Sequence, residues 1–437
     1  MNTTAREAIR TATAKWLQPS VLGRVTEVAG TLVQISVTEK HGPVLGDVLE
    51  VETSDSVVPC EIVGFRGSSL LAIPLVPARN IAAGAPARPT GRAASVAVGD
   101  ALLGRVIDPF GRPMDGGPQP RCTDKVPLDA GALPIDQRGT VSQRFDTGVR
   151  VIDALLTCGR GQRIGIFAGA GCGKSVLVEQ IASQADADVI VIGLIGERGR
   201  EVVELMGSKR RDKMIIVAAT SDRSPLERLR GASAATAIAE YFRDRGKNVL
   251  LVIDSLTRFA MATREIGLAL GEPPATKGYP PSVFANMPRL LERVAPRAGS
   301  GSITAFYTVL VEGDDLSDPI ADSARSLLDA HIVLSRDLAG RGHFPAVEIL
   351  SSASRVARRV ADPTTVALAS RAREQLAQRK QAQELQALGA YTVGVNKDLD
   401  HAIAIGVRID SWARQTPEES STYELAVTGL ITAVENK

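Results

Sequence analysis

At 437 residues the chain exceeds one ordinary hydrophobic core, so two or three domains are expected, with length enough to bury a large sheet. Its 51 lysines and arginines stand against 49 acidic residues, which excludes a bulk electrostatic footprint for nucleic acid or a membrane surface. No stretch approaches the roughly 18 consecutive apolar residues of a membrane span, no cleavable leader opens the chain, and Cys60, Cys122, Cys158 and Cys172 form no CxxC pair, which together predict a soluble cytoplasmic protein with reduced thiols.

In chain order, residues 1–20 carry Arg6, Arg10 and Lys15 beside Ile9, Trp16 and Leu17, a spacing that admits a short basic amphipathic helix or a solvated terminus. Residues 21–92 read as short β-branched runs, GRVTEV, TLVQISV, DVLEVE and CEIVGF, parted by Gly, Asp and Ser turns. That pattern predicts a small antiparallel β-barrel. Between residues 90 and 147, proline and glycine clusters such as DPFGRPMDGGP at 108–118 read as joining turns. Within residues 93–365 strands and helices then alternate: RIGIFA, KSVLVEQIASQA, DVIVIGLI, EVVELMG, KMIIVAAT, a helix from Pro225, VLLVID and ITAFYTVLVE. Continuous apolar strands separated by helices predict an α/β domain with a mostly parallel sheet buried on both faces. Residues 366–437 turn alanine, glutamine and leucine rich, predicting a helical C-terminal domain.

RIGIFA runs directly into Gly169-Ala170-Gly171-Cys172-Gly173-Lys174-Ser175, with a helix opening behind it. Small residues let successive backbone N–H groups curl round a phosphate, and the helix N-terminus adds partial positive charge at the same spot. Lys174 then reaches the β- and γ-phosphates of ATP and the Ser175 hydroxyl ligates Mg2+. Ala168 stands where the usual motif begins with glycine, which is tolerable unless a positive φ is needed there. Cys172 reads as a small filler whose backbone amide matters.

The strand VLLVID ends on Asp254, about eighty positions after Lys174, placed to hold Mg2+ through its water shell. The plain alternative is a helix cap before Ser255. DVIVIGLI ends at Gly196-Glu197, so Glu197 projects at the edge where open α/β sheets bind ligands and can polarise an attacking water. Alternatively, Glu197 to Glu201 is a charged helix start pairing with Arg198 or Arg200.

The blocks FAGAGCGKS, IGERGREV, VLLVIDSLTRFAMATREIGLALGEPPATKGYPPSVF and SLLDAHIVLSR resemble the ATPases of type III secretion and flagellar protein export, relatives of the catalytic subunit of rotary ATP synthases. The resemblance covers residues 22–407 and implies a barrel, a RecA-like P-loop core and a helical C-terminal domain. It makes Lys174 and Ser175 the phosphate and magnesium contacts, Asp254 the second-strand aspartate and Glu197 the catalytic carboxylate. It makes Arg355, in SSASRV, a finger pointing into a neighbouring subunit's ATP, against the alternative of a surface salt bridge. Phe344 is implied to stack on adenine, with a buried core aromatic as the alternative; Tyr391 is a weaker candidate. Also implied are a homo-hexameric ring, peripheral docking at a membrane export gate, stator and central stalk partners, and release or unfolding of secreted substrates and their chaperones.

Three rivals are discriminated by sequence. A rotary synthase subunit lacks the LALGEPPATKGYPPSVF pattern. An RNA-translocating helicase needs an aromatic-studded basic surface, and only 4% of the residues are aromatic, so no nucleic-acid partner is expected. A nucleotide-holding structural subunit has no need of a carboxylate at Glu197.

Overall fold

The computed structural model describes residues 21–37, 43–76, 80–208, 210–311, 313 and 315–435. The amphipathic helix considered for residues 1–20 lies outside them. Among the described residues, no helix is long and apolar enough to cross a membrane.

Strands β1 (Gly23–Ala29), β2 (Leu32–Val37), β3 (Asp47–Glu52), β4 (Val57–Arg66), β5 (Ser69–Pro74) and β6 (Pro86–Ala93) close into an antiparallel barrel in the order β1-β2-β5-β4-β3-β6. Alternation decides its inside: Val25, Ile35, Leu49, Val51 and Ile62 are buried together, while intervening residues such as Arg24 and Glu50 face water.

The segment read as joining turns does more than join. Its strand β7 (Ser95–Val98) pairs antiparallel with β9 (Asp124–Pro127), and between them β8 (Val106–Ile107) pairs in parallel with Met214–Ala219 as the outermost strand of the main sheet. Two residues are too few to display a period, which is why proline and glycine dominated the reading.

Numbering continues with β10 (Arg144–Phe145), β11 (Cys158–Gly159), β12 (Arg163–Ala168), β13 (Val189–Ile195), β14 (Met214–Ala219), β15 (Asn248–Asp254), β16 (Ser302–Leu310), β17 (Ala330–Val333) and β18 (Ala353–Ser354). The eight-stranded sheet runs β18-β17-β12-β16-β15-β13-β14-β8, parallel except for β18. Every residue of β13 is buried, as a strand covered on both faces requires. Ile190, Ile192 and Leu194 pack on one face with Leu177 and Ile181 of the helix Lys174–Gln184 and with Ile405 and Leu430 of the C-terminal helices. Val189, Val191 and Ile195 pack on the other with the helices Pro225–Arg243, Leu256–Leu270 and Pro281–Leu291. Three helices, Pro363–Ala387, Lys397–Ala413 and Tyr423–Glu435, form the C-terminal part.

Barrel and core are joined by a buried fork. Both Glu61 oxygens, on β4, accept from Arg230 Nε at 3.1 and 2.9 Å, and the two residues are 1% and 7% exposed.

Candidate active site

Strand order brings three sequence-distant side chains together at one sheet edge. β12, β15 and β13 end in the phosphate loop, Asp254 and the turn holding Glu197, and all three strands run the same way. Ala168 is the last residue of β12, buried and paired with Leu310, so its backbone is extended and alanine meets no penalty there. The strained positions are Gly171 and Gly173, with φ of 80° and 83°, where a side chain is disfavoured. A Cβ on Gly173 would also lie 3.1 Å from the Phe344 ring. The helix Lys174–Gln184 starts immediately behind, and no side chain caps it, so its first N–H groups are left to a ligand such as phosphate. Ala170, Gly171 and Ser175 are exposed, whereas Cys172 is buried, in keeping with a filler.

Lys174 Nζ is paired with Asp254 Oδ1 and lies 3.6 Å from Glu197 Oε1. Thr308, fully buried on β16, donates its hydroxyl to the same Asp254 oxygen at 2.6 Å. Burial pulls the Lys174 pKa down, but the Asp254 and Glu197 carboxylates outweigh it and hold the ammonium above its ordinary value. Burial, then the charge on Glu197, raises the pKa of the neighbouring Glu201 carboxyl. Glu197 is 8% exposed, and its buried Oε1 has the Lys174 ammonium at ion-pair distance but no hydrogen bond, which leaves it able to accept one.

The donor set fits magnesium. One ammonium faces three carboxylates, Asp254, Glu197 and Glu201, leaving an excess of negative charge that a divalent cation offsets. Ser175 and Asp254 offer oxygens only, and among the described residues no three His, Cys, Asp or Glu side chains form a cage. Magnesium keeps several waters and takes one or two protein oxygens beside phosphate, so this sparse set suits it.

A cavity of about 850 Å³ lies elsewhere, between barrel and core, lined by Glu61, Arg230, Phe259 and Ile266 among others. Its central charges are spent on each other, and it contains none of the convergent groups above.

Residues 148–354 match the nucleotide-binding domain of the ATP synthase alpha/beta family, and residues 361–432 match the T3SS EscN ATPase C-terminal domain. The flagellum-specific ATP synthase of Bacillus subtilis (strain 168) is 44% identical over 424 residues, covering 95% of both chains. The type 3 secretion system ATPase of Pseudomonas syringae pv. syringae is 47% identical over 411 residues, covering 91% of this chain and 90% of that one. The chain belongs to the type III secretion and flagellar export ATPase family. The assembled ATPase EscN of enteropathogenic E. coli superposes on this export ATPase with a TM-score of 0.88 at 42% identity, over 94% of this chain and all of that one. EscN in complex with its central stalk EscO gives 0.85 at the same identity and coverage. The fold expected from sequence, a barrel, a P-loop core with a mostly parallel sheet and a helical C-terminal part, is the fold of the family.

Within the export ATPase, Phe344 is 42% exposed and lies against Gly173, so it borders the phosphate loop rather than filling the core. Arg355 is not brought to its own phosphate loop. Ser354 pairs with Ala330, and Ala330 with Ile164, so Arg355 leaves the sheet at the end where β12 begins. Ile164 to Ala168 alone is about 13 Å of strand at about 3.3 Å per residue. Arg355 is exposed, and its guanidinium donates only weakly, to the Arg325 carbonyl at 3.4 Å. Tyr391, in the turn between two C-terminal helices, hydrogen-bonds Asp400 of the helix Lys397–Ala413. The sequence reading missed Thr308 and Gln415. Thr308 is one of three hydroxyls in the run ITAFYTVL, beside Thr304 and Tyr307, so nothing in the sequence singled it out, and Gln415 had no signal either.

Proposed function

We propose that this chain hydrolyses ATP as one subunit of a homo-hexameric ring and thereby energises protein export through a type III apparatus, flagellar or injectisome. The observation that carries the chemistry is the convergence of Lys174, Asp254 and a Glu197 Oε1 that has an ion pair but no hydrogen bond, beside an uncapped helix N-terminus.

The N–H groups from Gly169 to Ser175 and the Lys174 ammonium bind the β- and γ-phosphates. Ser175 and Asp254 would hold magnesium, which supplies charge neutralisation across the phosphate oxygens. Glu197 accepts a hydrogen bond from the attacking water and takes its proton as the water oxygen bonds to the γ-phosphorus and the bond to the β–γ bridging oxygen breaks. ADP and inorganic phosphate leave. Arg355 reaches the site of the adjacent copy and neutralises charge on the transferring phosphoryl, an effect on the order of 10³ to 10⁵ in rate. Phe344 borders the base.

This reading places the protein among protein-secreting ATPases of the translocase class, working at the cytoplasmic face of a membrane export gate. Its partners are a central stalk, a stator or regulator, and secreted substrates with their chaperones. The EscN–EscO complex of a close structural relative supports the stalk, and the EscN-type C-terminal match supports export over proton-coupled synthesis. Glu197→Gln tests the core of the proposal. MgATP should still bind, by fluorescent-nucleotide titration, while turnover falls to background; turnover that survives the substitution refutes the assigned role.

A further inference from the structure

The linker between the helices Lys397–Ala413 and Tyr423–Glu435 is bolted to the nucleotide-binding elements through side-chain amides, one of them buried. Gln415 is 4% exposed and uses its side chain fully. Its Nε2 donates to the Gly148 and Glu419 carbonyls, each at 2.8 Å, and its Oε1 accepts from Arg150 N–H at 2.9 Å, the first residue of the helix Arg150–Leu155. Its backbone N–H donates to the Phe344 carbonyl at 3.0 Å. Beside it, Gln184 of the phosphate-loop helix donates to the Pro417 and Glu419 carbonyls at 2.9 and 3.1 Å.

One residue thus ties the carbonyl of Phe344 to the start of a core helix, while the Phe344 ring rests against Gly173. The Gln415 side chain hydrogen-bonds none of Lys174, Asp254 and Glu197, which are paired with one another. The side chains that meet phosphate are thus not held by the Gln415 amide, although the phosphate-loop helix, through Gln184, shares its Glu419 acceptor.

We infer that Gln415 is a positioning residue for the nucleotide base: its side-chain amide pins the linker to Gly148 and Arg150, and from that fixed place its backbone N–H holds the Phe344 carbonyl, so that base affinity is a property set through the C-terminal helices. The inference rests on the reading of Phe344 as the base-stacking residue. Removing the amide leaves Arg150 N–H and the Gly148 carbonyl unpaired in a buried place and loosens the linker backbone whose N–H holds the Phe344 carbonyl, while the Lys174, Asp254 and Glu197 side chains are left in place.

The test uses the full-length assembled protein and compares MgATP with inorganic tripolyphosphate, which has the phosphates and no base. Gln415→Met keeps the length and loses the amide. KM for MgATP should rise about tenfold with kcat within about twofold, while inhibition by tripolyphosphate stays within about twofold. Should that variant not assemble, Gln415→Glu, which keeps the acceptor for Arg150 N–H and loses both donors, is read by the same ratio. Equal weakening of both ligands means that Gln415 only braces the fold, and overturns the inference. So does an unchanged KM. Phe344→Ala separates the two layers: if it weakens MgATP selectively and the Gln415 variants do not, the base reading stands and the clamp falls; if it leaves MgATP affinity unchanged, both fall together.

Discussion

Asp254 Oδ1 receives two donors, the Lys174 ammonium and the Thr308 hydroxyl, so that one carboxylate oxygen is held from two sides. Thr308→Val keeps the buried volume and removes one of those donors. A buried hydrogen bond to a charged group is worth about 1.5–3 kcal/mol, so kcat should fall about tenfold or more, with Thr308→Ser restoring most of it; saturating-MgATP turnover measures both. Lys174→Ala should abolish turnover and phosphate binding together, since it removes the one ammonium facing Asp254, Glu197 and Glu201. Isothermal titration with MgATP checks the second half, and retained affinity would contradict it. The residues that carry local signatures, Gly169 to Ser175, Asp254 and Glu197, could be picked from the sequence because a loop and two strand ends announce themselves within a few positions. Thr308 could not, because its importance comes from β16 lying between β12 and β15, and a strand order is not written in any one segment.

At the scale of elements, burial and pairing decide which junctions hold. The Glu61–Arg230 fork pins β4 to the helix Pro225–Arg243, and its desolvation is offset only while both partners remain. Arg230→Ala should cost about 3–5 kcal/mol by chemical denaturation, because it strands a buried carboxylate, whereas exchanging both residues for apolar ones of similar volume should cost much less. A second junction is pH-sensitive. Asp153 is fully buried in the helix Arg150–Leu155; burial pushes its pKa up to about 7 from 3.8, against hydrogen bonds from Thr147 and Gly148 that work to lower it. The folded chain then binds this proton more tightly than the unfolded chain does. Its contribution is complete below about pH 4 and is lost as pH rises to about 7. Asp153→Asn, which cannot titrate, should flatten that part of the Tm–pH curve relative to the parent protein. The periodicities of barrel, sheet and helices were legible because each repeats over many residues. Val106–Ile107 was not, since an edge strand of two residues between turns has no period, and the Glu61–Arg230 pairing spans two domains that no local pattern connects.

At the scale of the whole molecule, Arg355 and the phosphate loop lie at opposite ends of the same sheet. If catalysis is shared between copies, Glu197→Gln and Arg355→Ala subunits, each inactive alone, should recover activity when mixed, because about one boundary in four then joins an intact Glu197 to an intact Arg355. Colorimetric phosphate release over a titration of mixing ratios measures this, and a flat line at zero argues for unshared sites. ATP consumption should also rise more steeply than linearly with protein concentration at the dilute end. The closed N-terminal barrel bears on the same assembly. An open sheet brought beside its copies would offer unpaired amides and carbonyls for strands to zip across the boundary, and such seams are rigid and hard to reverse. With its six strands joined into a cylinder, the barrel offers no open edge for such a seam, so contacts between neighbouring crowns would fall to side chains and loops, which can part again as the fuel between copies is spent.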